Sequence, residues 1–308
     1  MQNKIINYAL PNEPFIALLS YDRQNDDIII PINKAREYGI EFKLNAKAKN
    51  EASLNYFLEK YPLEFSDYKA RFNKVRQYQK NGHSYLLNLC FASKIKTNLS
   101  LENIYKHAKG AAVIYKKDDF VCFTPEPFVT IKNGLIHTYP MKGTIDASIA
   151  NAKQKLLDNQ KEFSESAMML DLMRNDLGRV CKRVWVERFR YIQKVANLYQ
   201  TSSKISGILR PELSLGEIFS ALLPAGSITG TPKIESMRII KECEKCERGF
   251  YTGVFIHFDG KVCKSYVLIR FIKQKAKDLY FYSGGGITLQ SDAKREYDEL
   301  REKIYFPF

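Results

Sequence analysis

The stretch "GFYTGVFIHFDGKVCKSYVLIRFIKQKAKDLYFYSGGGIT", residues 249–288, decides the fold class. Aromatic and β-branched residues crowd it and alternate with polar ones, as in half-buried strands. Asp259-Gly260 marks a tight hairpin turn. The stretch reads as three strands, and a helix follows in "SDAKREYDELREKI", 291–304, with Ser291 as its expected N-cap. Strands in a run followed by a helix break strict βαβ alternation and point to an antiparallel α+β design.

The rest of the chain agrees with that design. Residues 13–31 read as two strands, "FIALLSYD" and "DIIIPI", around a polar turn at 22–26. Residues 62–82 are helical, with Tyr68, Phe72, Val75 and Tyr78 at spacings of three and four. "SYLLNLCFA" reads as a buried strand. Residues 110–142 read as an antiparallel meander, with "KNG" as a hairpin signal. Residues 151–178 read as one long helix ending near Gly178, and 214–223 as another. "LLPAGSITGTPKIESMRIIKECEK" is a glycine-bearing loop and then a helix, with Thr231 as the expected N-cap and Pro232 at the first helical position. No internal repeat or low-complexity segment is visible, and 308 residues suffice for one large domain or two small ones.

Composition narrows the function classes. Hydrophobic residues make up 45% of the 308 and charged residues 27%, an ordinary globular balance. The net charge of +14 invites a nucleic-acid partner. Its densest runs, "KKDD" and "RVCKRVWVERFR", mix the cations with acids or apolar residues, so a small anion or an acidic partner fits better. Of six cysteines only Cys243 and Cys246 form a C-x-x-C, and no second pair or His pair follows at zinc-site spacing. They read as incidental thiols at a helix end. The start lacks a signal-peptide pattern, and no apolar run approaches the ~20 residues of a membrane span. A soluble, cytoplasmic protein is expected.

Several constellations bear chemistry. On the last helix Glu296, Glu299 and Lys303 form a polar stripe, apart from an apolar stripe of Tyr297, Leu300 and Ile304. The polar stripe fits a solvated face; it also fits a pair of oxygen ligands for Mg²⁺. The preceding Gly284, Gly285 and Gly286 let backbone N–H groups approach a ligand. On the long helix Glu162 and Glu165 share a face with Met169 and Leu172. A carboxylate there is costly unless paired or metal-bound, which suggests a third ligand to join Glu296 and Glu299. "PAGSITGTPK" is no Walker loop, but Thr229 and free N–H groups there suit a carboxylate. Arg270, at the end of the strand "SYVLIR", has the fork that grips a carboxylate. "DLMRNDLGRV" reads as caps and salt bridges. Lys142, in "HTYPMKGTID", fits a solvated charge or a buried amine that attacks substrate.

Seven motifs then occur in series: "TPEPF", "PMKGT", "KEFSESAMMLDLMRNDLGRV", "PAGSITGTPKIESMRII", "RGFYTGVFIHF", "IRF" and "GGGITLQSDAKREYDELREKI". Across 62–308 the chain resembles the chorismate-utilising enzymes: anthranilate synthase component I, aminodeoxychorismate synthase component I, isochorismate synthase and salicylate synthase. Residues before about 60 look like a shortened, divergent N-terminal part. The resemblance implies a single chorismate-binding domain over 1–308, a large sandwich of two antiparallel β-sheets flanked by helices, with the active site in the cleft between them. It implies Mg²⁺ held by Glu165, Glu296 and Glu299. Chorismate would be held by Thr229, Tyr251, Arg270, Lys303 and the backbone of Gly284, Gly285 and Gly286.

Within the family, "KGT" at Lys142 most resembles aminodeoxychorismate synthase component I, whereas anthranilate and isochorismate synthases resemble "AGT". The implied reaction joins chorismate and ammonia into 4-amino-4-deoxychorismate on the way to p-aminobenzoate and folate. Lys142 would be the nucleophile and Glu126 the acid for the departing hydroxyl. Ammonia would come from a separate glutamine amidotransferase subunit, and a separate aminodeoxychorismate lyase would take the product. Leu86 stands where water-using members resemble a lysine, and Gln200 where a histidine is common. No tryptophan-sensing segment is recognisable. The nearest alternative is anthranilate synthase component I; a basic nucleic-acid-binding protein is the alternative of another class.

Overall fold

The computed structural model describes residues 13–22, 27–47, 54–195, 198–244 and 246–308. In chain order they form β1 (Phe15–Leu19), β2 (Ile28–Pro31), β3 (Ile40–Ala46), β4 (Glu59–Tyr61), α1 (Phe65–Lys80), β5 (Leu86–Lys96), α2 (Leu101–His107), β6 (Gly110–Lys116), β7 (Phe120–Thr124), β8 (Pro127–Lys132), β9 (Leu135–Thr138) and β10 (Met141–Asp146). There follow α3 (Ala152–Asp158), α4 (Gln160–Gly178), β11 (Cys181–Val195), β12 (Leu198–Leu209), α5 (Leu215–Leu222), β13 (Gly230–Thr231), α6 (Lys233–Glu244), β14 (Val254–Phe258), β15 (Val262–Val267), β16 (Phe271–Lys275), β17 (Asp278–Ile287) and α7 (Ala293–Glu302). Two antiparallel sheets flanked by helices result, the α+β class expected. The chain divides into two compact units. The first holds the stretch ending at Phe15 with Pro127–Ser227 and Ile256–Ser265; the second holds Ile16–Glu126, Ile228–Phe255 and Tyr266–Phe308.

In the second unit the strands run β13–β5–β17–β16–β7–β6–β3, with β4 also on β5. β5 shows why this sheet is apolar on both faces. Leu87, Leu89 and Phe91 point one way and pack with Tyr68, Phe72 and Val75 of α1, Ile239 and Ile240 of α6, and Tyr297 and Leu300 of α7. Cys90, pointing the other way, joins Ile16, Leu18, Ile30, Phe255 and Phe271. Period-two alternation delivers each set to its own layer. A third cluster sets Leu101 and Ile104 of α2 against Val121, Phe123 and Phe281. Phe120 is fully buried, with its ring 4.7 Å from that of Phe271. Phe120→Ala is expected to lower the urea-unfolding free energy by about 3–5 kcal/mol, with little relaxation around the cavity.

In the first unit β12 organises the sheet. One edge of β12 pairs with β11 along its length. The other is shared by β9, opposite Ile205–Ile208, and β10, opposite Leu198–Ser202. The Pro140 carbonyl accepts from the Ser203 N–H at 2.9 Å and keeps the two short strands in line. β8 continues the sheet beyond β9.

Several expectations are corrected. Residues 249–288 form four strands, because the chain leaves one sheet after Val267 and enters the other at Phe271. Arg270 therefore lies in that crossing, with φ +54°, and not at a strand end. The meander at 110–142 is likewise two hairpins in different sheets, β6–β7 and β8–β9, parted at Pro125-Glu126. The helix at 151–178 is two helices. Asn159 is extended there, and its side chain caps α4 by accepting from the Glu162 N–H. Arg190 donates to the Leu156 and Leu157 carbonyls, closing α3. Thr231 belongs to β13, paired with Leu86, so α6 starts at Lys233 and its Ser236 N–H donates to the Pro232 carbonyl. Asp292, not Ser291, caps α7; Ser291 Oγ accepts from the Thr288 N–H instead. The turn expected at 22–26 lies largely outside the described residues.

Candidate active site

In the first unit, Lys142 is the second residue of β10. Its backbone faces Thr201, whose hydroxyl donates to the Lys142 carbonyl. The register then slips by one residue before Thr144, and Gly143 takes φ +68°. A Cβ on Gly143 would stand 2.8 Å from Glu162 Oε2 and 3.1 Å from Leu156 Cδ1, so glycine lets β10 lie close against α3 and α4. The bulge sets Lys142 Nζ 3.8 Å from Glu165 Oε2, with side chains 23% and 12% exposed. Lys161 Nζ lies 3.8 Å from the other Glu165 oxygen. Two cations thus flank one largely buried carboxylate. Met169 and Leu172, further along that helix face, are buried. Gln200 stands opposite Thr144 and donates to Met141 Sδ.

In the second unit, Gly284, Gly285 and Gly286 lie within β17 opposite Cys90, Leu89 and Asn88. β16 accompanies β17 only as far as Tyr282, so past that point the outer backbone edge has no strand partner among the described residues. A Cβ on Gly284 would stand 2.5 Å from Cys90 Sγ and from the Leu89 carbonyl. One on Gly285 would stand 3.3 Å from Glu296 Oε2 and 3.7 Å from Lys303 Nζ, which places both charges beside the glycine strand. Lys303 Nζ donates to the Gly284 carbonyl and pairs with Glu299, each at 2.7 Å. Glu296 is nine-tenths buried, whereas the Glu299 side chain is 55% exposed. Burial first, then the charges of Glu296 and Glu299, hold the Tyr68 phenol far above its ordinary pKa.

Thr229 is fully buried, and its carbonyl accepts from the Asn88 N–H. Tyr251 is buried against Tyr282 and Phe271. Desolvation, followed by the neighbouring Cys90, keeps its phenol well above the usual range. Arg270 donates to the Lys303 carbonyl at 2.9 Å and stacks over Tyr305. It thereby braces the C-terminal end of α7. Glu126 is half-buried, and its carbonyl accepts from the Val267 N–H. Thr229, Gly284–Gly286, Glu296, Glu299 and Lys303 thus surround the β5–β17 pair, while Lys142 and Glu165 meet in the first unit.

Among the described residues, no group of three His, Cys, Asp or Glu side chains is gathered closely enough to hold a metal ion. Glu165, Glu296 and Glu299 offer carboxylate oxygens, and Mg²⁺ usually takes one or two carboxylates and completes its shell with substrate oxygen and water. Of the C-x-x-C pair, Cys243 is buried and Cys246 exposed. "DLMRNDLGRV" holds the expected ion pair, Arg174 to Asp171 at 3.1 Å. No helix among the described residues is long and apolar enough to cross a membrane.

Sequence reasoning passed over a buried pair, Arg248 and Glu244, with side chains 2% and 1% exposed. Their i, i+4 spacing was the available signal, but it equally describes a solvated helix-end pair. Only burial separates the two cases.

The chain belongs to the chorismate binding enzyme family, whose sequence pattern matches residues 17–308. It is an enzyme of the class that acts on chorismate. It is 42% identical to the "uncharacterized PabA-like protein" of Haemophilus influenzae, over 98% of this chain and 94% of that one. It is 30% identical to aminodeoxychorismate synthase component 1 of Bacillus subtilis, over 79% of this chain and 55% of that one. Among solved structures, anthranilate synthase component I from Streptococcus pneumoniae TIGR4 superposes with a TM-score of 0.70 at 26% identity, covering 85% of this chain and 60% of that chain.

Proposed function

We propose that this enzyme aminates chorismate at C4, using ammonia from a separate glutamine amidotransferase, and releases 4-amino-4-deoxychorismate to a separate lyase. One observation carries the proposal: Lys142, the amine that "KGT" brings to the family, stands 3.8 Å from Glu165, the carboxylate implied as a metal ligand. The residues proposed to act are Lys142, Glu165, Glu126, Thr229, Tyr251, Arg270, Gly284, Gly285, Gly286, Glu296, Glu299 and Lys303.

Lys142 Nζ, as the neutral amine, forms a bond to ring carbon C2. The ring π electrons shift, the C4–O bond breaks, and Glu126 gives its proton to the departing hydroxyl, which leaves as water. Ammonia then bonds to C4, the π electrons shift back, the C2–N bond to Lys142 breaks, and the new C4 ammonium returns a proton to the Glu126 carboxylate. The enolpyruvyl ether is untouched throughout. Glu165, Glu296 and Glu299 would hold Mg²⁺, which when bound would anchor the ring carboxylate and temper its charge. Leu86 is buried and apolar, so it cannot activate a water nucleophile at its position.

Several relatives are named anthranilate synthases, so product identity is the test. Chorismate, ammonium, Mg²⁺ and the purified chain are expected to yield an aminated product that retains the enolpyruvyl mass. A fluorescent product released together with pyruvate would instead establish anthranilate formation. A salt-sensitive gel shift with no chorismate turnover would move the protein to nucleic-acid binding.

A further inference from the structure

Within the second unit, Arg248 grips Glu244 with both arms of its fork. Nε donates to Oε2 at 2.9 Å and Nη2 to Oε1 at 2.6 Å. Its other donors reach separate segments: Nη1 to the Ile228 carbonyl at 2.9 Å and to Thr252 Oγ1 at 3.2 Å, and Nη2 to the Asn88 carbonyl at 2.7 Å. Glu244 Oε1 also accepts from the Cys90 N–H at 2.8 Å. The Tyr21 ring lies over the guanidinium, 4.5 Å from its centre. Each anchored group adjoins a residue assigned to the substrate. Ile228 precedes Thr229, Thr252 follows Tyr251, and Cys90 stands opposite Gly284. The Tyr251 N–H also donates to the Arg248 carbonyl.

We propose that the Arg248–Glu244 pair is a positioning device that sets Thr229, Tyr251 and the Gly284 strand at their working separations for the substrate carboxylates. The proposal rests on the assignment of chorismate to this site. Arg248 touches no reacting atom; it acts by tying the Ile228 and Asn88 carbonyls and the Thr252 hydroxyl to one planar group. A lysine would keep the charge but offers a single point donor and cannot span those carbonyls. A buried ion pair is weak evidence for stability as such, since an apolar pair of similar volume is often as stable. Stability and positioning are therefore read separately, by melting temperature and by KM.

Arg248→Lys and the double variant Glu244→Leu/Arg248→Met are compared with the wild type for melting temperature and for kcat and KM on chorismate with ammonium. In Arg248→Lys, KM is expected to rise at least about tenfold with kcat changed less than about threefold, the signature of lost ground-state grip. The double variant leaves the Ile228 and Asn88 carbonyls and the Cys90 N–H without their partner, so it is expected to melt below the wild type and to keep a high KM. A double variant with wild-type KM, a lysine variant with wild-type KM, or a loss confined to kcat would overturn the proposal alone. If the lysine variant does not fold, the double variant decides. A wild-type chain that neither binds nor converts chorismate would overturn the site assignment first, and this proposal with it.

Discussion

Lys142→Ala is expected to slow C4 amination at least about a thousandfold, or about 4 kcal/mol of barrier, while chorismate still binds. The side chain is partly exposed and lies 3.8 Å from the Glu165 carboxylate, so truncation leaves no large cavity and the fold should persist. Ammonium in the assay removes any dependence on a partner subunit, and mass spectrometry of the products reads the outcome. Lys142→Arg sharpens the test: it keeps a cation beside Glu165 but stays protonated and cannot act as the nucleophile. Both variants should be inactive if the amine bonds to the ring. Activity in the arginine variant alone would reduce Lys142 to an electrostatic role. Full activity in the alanine variant would remove the covalent step and leave the reaction assignment standing.

Gly230→Ala is the second large effect, and it does not depend on the reaction. Gly230 has φ +144°, where L residues are strained, and a Cβ there would stand 2.1 Å from the Leu86 carbonyl and 2.7 Å from Leu87 Cα. These are backbone atoms of β5, held in the sheet by β17 on the other edge. They cannot swing aside as a side-chain tip would. Either β13 leaves β5 or β5 shifts, and Thr229 moves in both cases. The expected outcome is a loss of about 3 kcal/mol or more in unfolding free energy, together with loss of chorismate binding. A melting curve and an equilibrium binding measurement on the same sample check it; a wild-type melting temperature would show that the loop accommodates the methyl.

The regular parts of the fold were legible because their spacing has only one explanation. Tyr68, Phe72 and Val75 at helical intervals and Leu87, Leu89 and Phe91 at strand intervals all pack in one cluster. Changes of sheet were not legible. Nothing in "VLIRF" looks like a turn, yet the chain changes sheets between Val267 and Phe271. The break at Asn159 did leave a trace, since an Asp-Asn pair before a charged helical run is a start signal, but helical spacing on both sides masked it. In the site, residue types were readable and distances were not. Lys142 and Glu165 meet because β10 is laid along β12, a pairing of segments some sixty residues apart that no local pattern encodes.

β17 also has a bearing on how the chain is made. It is the last strand in chain order among the described residues, yet it fills the middle of its sheet, between β5 and β16. A ribosome will have finished β5 well before the strand that covers its flank emerges. In that interval "LLNLCFASKIK" presents an open, apolar edge to anything nearby, and edges of that kind recruit other chains. Yield in a cell should therefore respond to holdase chaperones and to translation speed more than the finished molecule's stability would suggest.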